Sequence, residues 1–366
     1  MENRKLNLIY THEPPVFKIK FSLPDNSGIY YINTAFMTYG NHSNIHESPL
    51  AKKTYDFVFS LGEACACASN LSANLLREYS CPLDWVSGTN FEQRIAILLN
   101  DFDGYFEKDK LELKQNTKNI PNVPHIYFFN KENGMGFIHD FPHETSFNLD
   151  IFFSSIKEKY DRRVKRLLNI LKTENLNILC VYIQQRIFEV SNNEIIYLHE
   201  KLRQKFNADI DMLFVKYDPS FRMDELTLED LSENTFIAKL NNKCIQWTGN
   251  DRMLSLLLDN INTRQLLQIK QSSATNTLFI YGVGGIGKQI AGRLARRNID
   301  ISGFIVSDGM DTNVINDFGK VYPLKELPIP YSKATVILGL SRENMNAVME
   351  YLEKNGIKFG FEYKFF

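Results

Sequence analysis

Apolar residues recur along this chain in short blocks, each followed by a stretch of helical period. Tyr55–Ser60 (YDFVFS), Asn177–Gln184 (NILCVYIQ) and Asp211–Lys216 (DMLFVK) read as buried strands. Phe236–Leu240 and Lys243–Trp247 are shorter strand candidates. Between them the period lengthens. Glu63–Leu76 is an apolar helical stretch, and Phe152–Leu171 is a long amphipathic one. Ser191 opens a helix that reaches about Phe206, with Glu194 completing a capping box. Strand and helix in repeated alternation predict a mostly parallel sheet covered by helices.

The two ends of the chain read differently. Val16–Leu23 alternates as a strand, and Ile29–Ile32 follows the turn signal at 24–28 as a second. Asn41–Lys53 is polar and predicts a loop. The polar stretch Gln271–Asn276 predicts a linker. Beyond it the α/β alternation returns. Thr277–Tyr281, Ile301–Val306 and Ala334–Leu340 are strands. Ile286–Arg297 is a helix. Ser341 caps a helix from Arg342 to about Lys354, which stops at Asn355-Gly356. The expected fold class is α/β with two α/β modules. A β appendage (1–52) precedes an α/β domain (53–260) and a small Rossmann-like parallel-sheet domain (272–366).

The 366 residues, 44% of them hydrophobic, supply cores for two or three domains. A net charge of -1, from 42 basic and 43 acidic residues, argues against a nucleic-acid partner. The cluster Arg162, Arg163, Lys165, Arg166 reads as a solvated helix face. No run approaches the ~18 apolar residues of a membrane span. Met1–Tyr10 lacks the apolar centre of a secretory signal. The five cysteines have the spacing of neither a zinc ribbon nor a disulfide framework, so no metal site is expected. A reduced, cytoplasmic protein is the expectation.

One of those cysteines falls where a strand hands over to a helix. Leu61-Gly62 ends the first strand, and Cys65 lies in the first turn of the following helix. Free N–H groups and the helix dipole there favour a thiolate and an oxyanion. Cys65 is therefore a candidate nucleophile, against the alternative of a buried cysteine that only packs. Cys67 faces elsewhere on the helix and reads as packing.

A second candidate site lies near the C-terminus. Gly282-Val283-Gly284-Gly285-Ile286-Gly287 fits G-x-G-x-x-G, follows a strand and opens a helix. Gly282 permits the turn, Gly284 and Gly285 let backbone approach a phosphate, and Gly287 lets the helix pack on the strand. Asp308, or Ser307 beside it, falls where a ribose hydroxyl would be met. The alternative is a tight turn without a ligand. The blocks YGVGGIGKQIAGRL, ISGFIVSDG, GKVYPLKEL and ATVILGLSRENM resemble the small nucleotide-sugar-binding Rossmann domains of bacterial sugar acyltransferases. That resemblance covers about residues 277–357. It implies a nucleotide sugar or dinucleotide held through its phosphates.

The blocks Ser60–Ala68, Leu76-Arg77, Ser80–Trp85, Asn100–Phe102 and Gly136–Phe141 resemble an uncharacterised bacterial family labelled papain-like cysteine peptidases, over about residues 54–255. Leu83 stands where that family has an aromatic residue. The resemblance implies Cys65 as nucleophile and His139 as its general base, with His125 and His143 as nearby alternatives. Asp84 is the favoured third residue, and Asp140 is its rival. A papain-like fold would pair a cysteine-bearing helix with an antiparallel sheet bearing the histidine, whereas the alternation over 177–240 predicts a parallel sheet. Together the two resemblances imply a cysteine-dependent hydrolase or acyl transferase acting on a small molecule or glycan precursor in bacterial surface-glycan biosynthesis. A non-covalent nucleotide-sugar-binding transferase, with Cys65 structural, is the second reading.

Overall fold

The computed structural model describes residues 7–9, 18–20, 36–39, 48–115, 126–141, 149–243, 247–275, 277–314, 318–340 and 342–356. The apolar blocks at Phe57–Ser60, Asn177–Ile183, Asp209–Tyr217 and Thr235–Leu240 lie side by side, all parallel. The antiparallel strand Glu225–Ser232 and the strand Phe36–Tyr39 extend this sheet beyond Thr235–Leu240. Phe36–Tyr39 lies within the stretch read as an appendage, yet it is hydrogen-bonded into the main sheet. The predicted strand Ile29–Ile32 lies outside the described residues.

Alternation along the strands divides the core. Phe57, Phe59, Ile178, Cys180 and Tyr182 face the helices Phe91–Leu99, Leu149–Leu171 and Asn192–Lys205. Val58, Leu179, Val181 and Ile183 face the helices Cys65–Ala73 and Asp251–Leu258. Both faces are buried, which is why the strands read as continuous apolar runs. The long insertion between the first two strands also carries a three-stranded antiparallel sheet, Leu111–Gln115, Ile126–Asn130 and Gly136–Phe137. The sequence pattern did not reveal it.

Residues 277–338 form a second, four-stranded parallel sheet. Its order is Lys320–Pro323, Gly303–Val306, Thr277–Tyr281, Ala334–Leu338. The direction of winding reverses at Thr277–Tyr281, the position at which open α/β sheets form a ligand crevice. The expected linker Gln271–Asn276 is a correction. Helix Arg264–Thr275 runs through it, with Thr263 Oγ1 accepting the Leu266 N–H at 3.1 Å and Leu266 and Ile269 buried. Polar composition there marks one exposed helix face.

The two sheets are joined firmly. Leu75, in the left-handed region at φ 60°, inserts into the core of the second sheet. Arg297 donates to the carbonyls of Asn74 (2.6 Å), Leu258 (3.0 Å), Asp259 (2.7 Å) and Ile261 (3.0 Å). It satisfies the C-terminal ends of two helices of the first module, where carbonyls would otherwise lack partners.

His199 is wholly buried in helix Asn192–Lys205, with Nδ1 2.8 Å from Thr235 Oγ1 and Nε2 2.9 Å from the Ile210 carbonyl. Nε2–H donates to the carbonyl, which leaves Nδ1 to accept from the Thr235 hydroxyl. Burial pushes its pKa down from 6.5 to about 4. The unfolded chain therefore takes up a proton before the folded one does, and stability falls as pH drops from 6.5 towards 4. Urea unfolding is expected to show a loss of about 2 kcal/mol between pH 7 and pH 5 from this group. In His199→Gln that component of the slope is expected to vanish.

Candidate active site

Strand Phe57–Ser60 is the edge strand of the main sheet, and helix Cys65–Ala73 follows it. Gly62 makes the hand-over because a Cβ there would run into the Cys67 side chain. Cys67 is buried, its thiol donates to the Val181 carbonyl at 3.4 Å, and burial pushes it up to about 12. It packs, as its position implied. Cys81 and Cys180 are also buried, with thiols pushed upward.

Cys65 is the first residue of its helix and is partly exposed. Burial pushes its thiol above the ordinary value, while the N–H groups of Cys65 and Ala66 and the Arg94 guanidinium pull it back. Burial wins. The thiol is raised, the reverse of what the helix start alone predicts.

Glu63 fixes the loop in front of Cys65. Its buried carboxylate accepts the N–H groups of Gln185 (2.8 Å) and Arg186 (3.1 Å) and pairs with the Arg186 guanidinium. Arg94 fixes the same loop from below. It sits on helix Phe91–Leu99, fully buried, and its Nη1 donates to the carbonyls of Leu61 (3.2 Å) and Leu83 (3.3 Å). Nη2 donates to Glu63 (2.9 Å) and Val86 (3.1 Å). One side chain thus ties the loop before Cys65 to the loop 83–86. The sequence reading missed both residues. The available signal for Arg94 was a cation in register with Phe91, Ile95 and Leu98 on an otherwise apolar helix face.

Asp84 lies in the second of these loops. It accepts from Arg77 Nε at 2.8 Å and from the Cys81 N–H at 2.7 Å, and Arg77 Nη2 donates to Ser80 Oγ at 2.6 Å. Burial pushes its carboxyl up and the guanidinium pulls it back. Asp84 therefore closes the turn that presents Trp85. The Trp85 ring lies under the Arg77 guanidinium (5.5 Å) and meets the His139 ring edge-on at 6.0 Å. Backbone bonds between Ser87 and Gly136 (3.0 and 2.8 Å) hold the His139 segment beside it. Asp140 turns to the long helix, pairing with Lys159 and accepting from the Tyr160 hydroxyl. His125, His143 and Cys244 lie outside the described residues.

The glycine loop divides into two kinds of position. Gly282, at φ 100°, could not carry a Cβ, which would come within 2.8 Å of the Gly339 carbonyl. Gly287 is equally constrained, since a Cβ would collide with the Gly282 carbonyl. Around Gly284 and Gly285 nothing lies within 4 Å of an added Cβ. Asp308 already accepts from the Lys325 N–H (2.9 Å) and the Tyr351 hydroxyl (2.7 Å), and Ser307 Oγ lies 2.6 Å from the Tyr281 hydroxyl. A ribose at Asp308 would share a carboxylate that the protein already uses. Among the described residues no cluster of His, Cys, Asp and Glu is arranged to hold a metal, and no helix is long and apolar enough to cross a membrane.

Residues 56–220 match the model of a protein family described as "Putative papain-like cysteine peptidase". That span contains Cys65, Asp84, Arg94 and His139. An uncharacterised protein of Acanthamoeba polyphaga mimivirus is 29% identical over 124 residues, covering 31% of this chain and 56% of that protein. The match thus spans little more than half the length of that relative. No solved structure matches the chain.

Replacing Asp84 by Ala strands a buried guanidinium. The expected cost is about 3–5 kcal/mol of folding stability, read by urea unfolding. Replacing Arg77 by Met in the same chain is expected to recover part of it.

Proposed function

We propose that the first module is a cysteine-dependent hydrolase or acyl transferase. The observation that carries this reading is the placement of Cys65, partly exposed on the first turn of its helix, in a loop that Arg94 ties to the one presenting Trp85 and, through it, His139. In this reading the His139 imidazole takes the thiol proton as the sulfur attacks an ester, amide or thioester carbonyl. The N–H groups of Cys65 and Ala66 receive the oxyanion. Asp84 acts as a positioning residue through Arg77 and Trp85. The family match over residues 56–220 supports the chemistry.

The second module, residues 272–366, is proposed to bind a nucleotide or nucleotide sugar through phosphates at Gly284 and Gly285. Packing accounts for Gly282 and Gly287, whereas open space at Gly284 and Gly285 suits the close approach of a ligand. A role in bacterial surface-glycan biosynthesis, on a cytoplasmic glycan precursor, rests on the sequence resemblance of that module. The raised thiol pKa favours a second reading, in which Cys65 is structural and the chain is a non-covalent nucleotide-sugar-binding transferase or accessory protein.

Iodoacetamide separates the two. Cys65 is expected to label far faster than Cys67, Cys81 or Cys180 in the folded protein, with His139→Ala slowing it. Equal, slow labelling of all of them would reject the nucleophile. For the second module, thermal shift against a panel of nucleotide sugars and dinucleotides is expected to identify a ligand, with about 2.7 kcal/mol gained at 100 times its Kd. Gly284→Val should abolish the shift. A flat response across the panel would reject this ligand class.

A further inference from the structure

Arg94 carries a full charge into the interior, and all four of its hydrogen bonds go to neutral backbone carbonyls. Its Nε is buried and makes no hydrogen bond. Among the described residues no carboxylate forms an ion pair with it. Glu63, whose charge acts on it, is paired with Arg186. A buried cation held only by neutral groups is expensive, and a nearby anion relieves that cost.

The geometry says where such an anion would sit. The Leu61 and Glu63 carbonyls that Arg94 grips belong to the loop running directly into Cys65. The guanidinium therefore lies beneath the helix turn whose free N–H groups favour negative charge. Glu63 is paired with Arg186, and Asp84 with Arg77 in the neighbouring loop. The Cys67 thiol and the Tyr182 hydroxyl remain protonated.

We propose that Arg94 is the resident counter-charge for an anion formed at Cys65, acting as a positioning residue that touches no substrate. In the reaction step the S–H proton passes to the His139 imidazole, the S–C bond forms, and the carbonyl π pair moves onto oxygen. Arg94 holds both loops still and offsets the negative charge at each stage. This deepens the cysteine-hydrolase reading and rests on it, but the charge coupling can be measured without a substrate.

A double-mutant cycle reads it. Cys65→Asp places a permanent carboxylate at the site, and Cys65→Asn is its neutral control. With Arg94 present, Cys65→Asp is expected to melt several degrees above Cys65→Asn. Arg94→Gln should erase that difference and Arg94→Lys should retain it. An equal Asp–Asn difference in all three backgrounds would overturn the proposal. In the parent chain, Arg94→Gln is expected to slow Cys65 alkylation at neutral pH about tenfold, equivalent to a rise of about one pKa unit. An unchanged rate would overturn it too. Should Arg94→Gln fail to fold, the titration midpoint of the Cys65→Asp carboxyl decides. A midpoint below the ordinary carboxyl range supports the coupling, and one above it refutes it. Coupling without fast alkylation would reject the enzyme reading and keep the counter-charge. Fast alkylation indifferent to Arg94 would do the reverse.

Discussion

A guanidinium with no carboxylate partner among the described residues holds the candidate site together. Arg94 spans the loops at Leu61–Glu63 and Leu83–Val86 and satisfies four buried carbonyls at once. Buried carbonyls without a donor are costly, so the loops accept this arrangement or lose their burial. Glu63 on the near loop and the Arg77–Asp84 pair on the far one then fix what remains free. The side chain that braces the loops is also the one that brings the charge.

The insertion between the first two strands reconciles two expectations that looked incompatible. The sheet beneath Cys65 is parallel, as the alternation of apolar blocks required. The histidine nonetheless follows an antiparallel strand, Gly136–Phe137, in the small sheet carried by the insertion. Ser87 joins the two through its backbone pairing with Gly136. Cys65 follows the carboxyl end of an edge strand of the parallel sheet, and His139 follows a strand of a separate antiparallel unit.

Long runs of one period were legible in the sequence. The strands at Phe57–Ser60, Asn177–Ile183 and Thr277–Tyr281 and the long helix Leu149–Leu171 fall where the pattern placed them, because burial on both faces or on one stripe leaves an unmistakable record. Strand Glu225–Ser232 is half exposed and carries Asp and Glu among its residues, so it lacked that record. Helix Arg264–Thr275 hid behind a polar composition that belongs to its outer face. Cys65 was visible through its place after a strand. Arg94 and Glu63 were not, since each gains its meaning from partners brought near only by folding.

The sequence by itself determined the alternation of strands and helices, the cysteine at a helix start and the glycines at a strand-to-helix turn. These are local matters of period, turn chemistry and steric freedom. Only the tertiary structure decided which way the Cys65 thiol shifts, because burial and the N–H groups pull in opposite directions and the balance depends on depth. It also decided how tightly Gly282 is held, since the carbonyl that obstructs a Cβ there comes from Gly339, far along the chain. Charge and contact across long separations in sequence leave no periodic trace, so they appear only once the chain is folded.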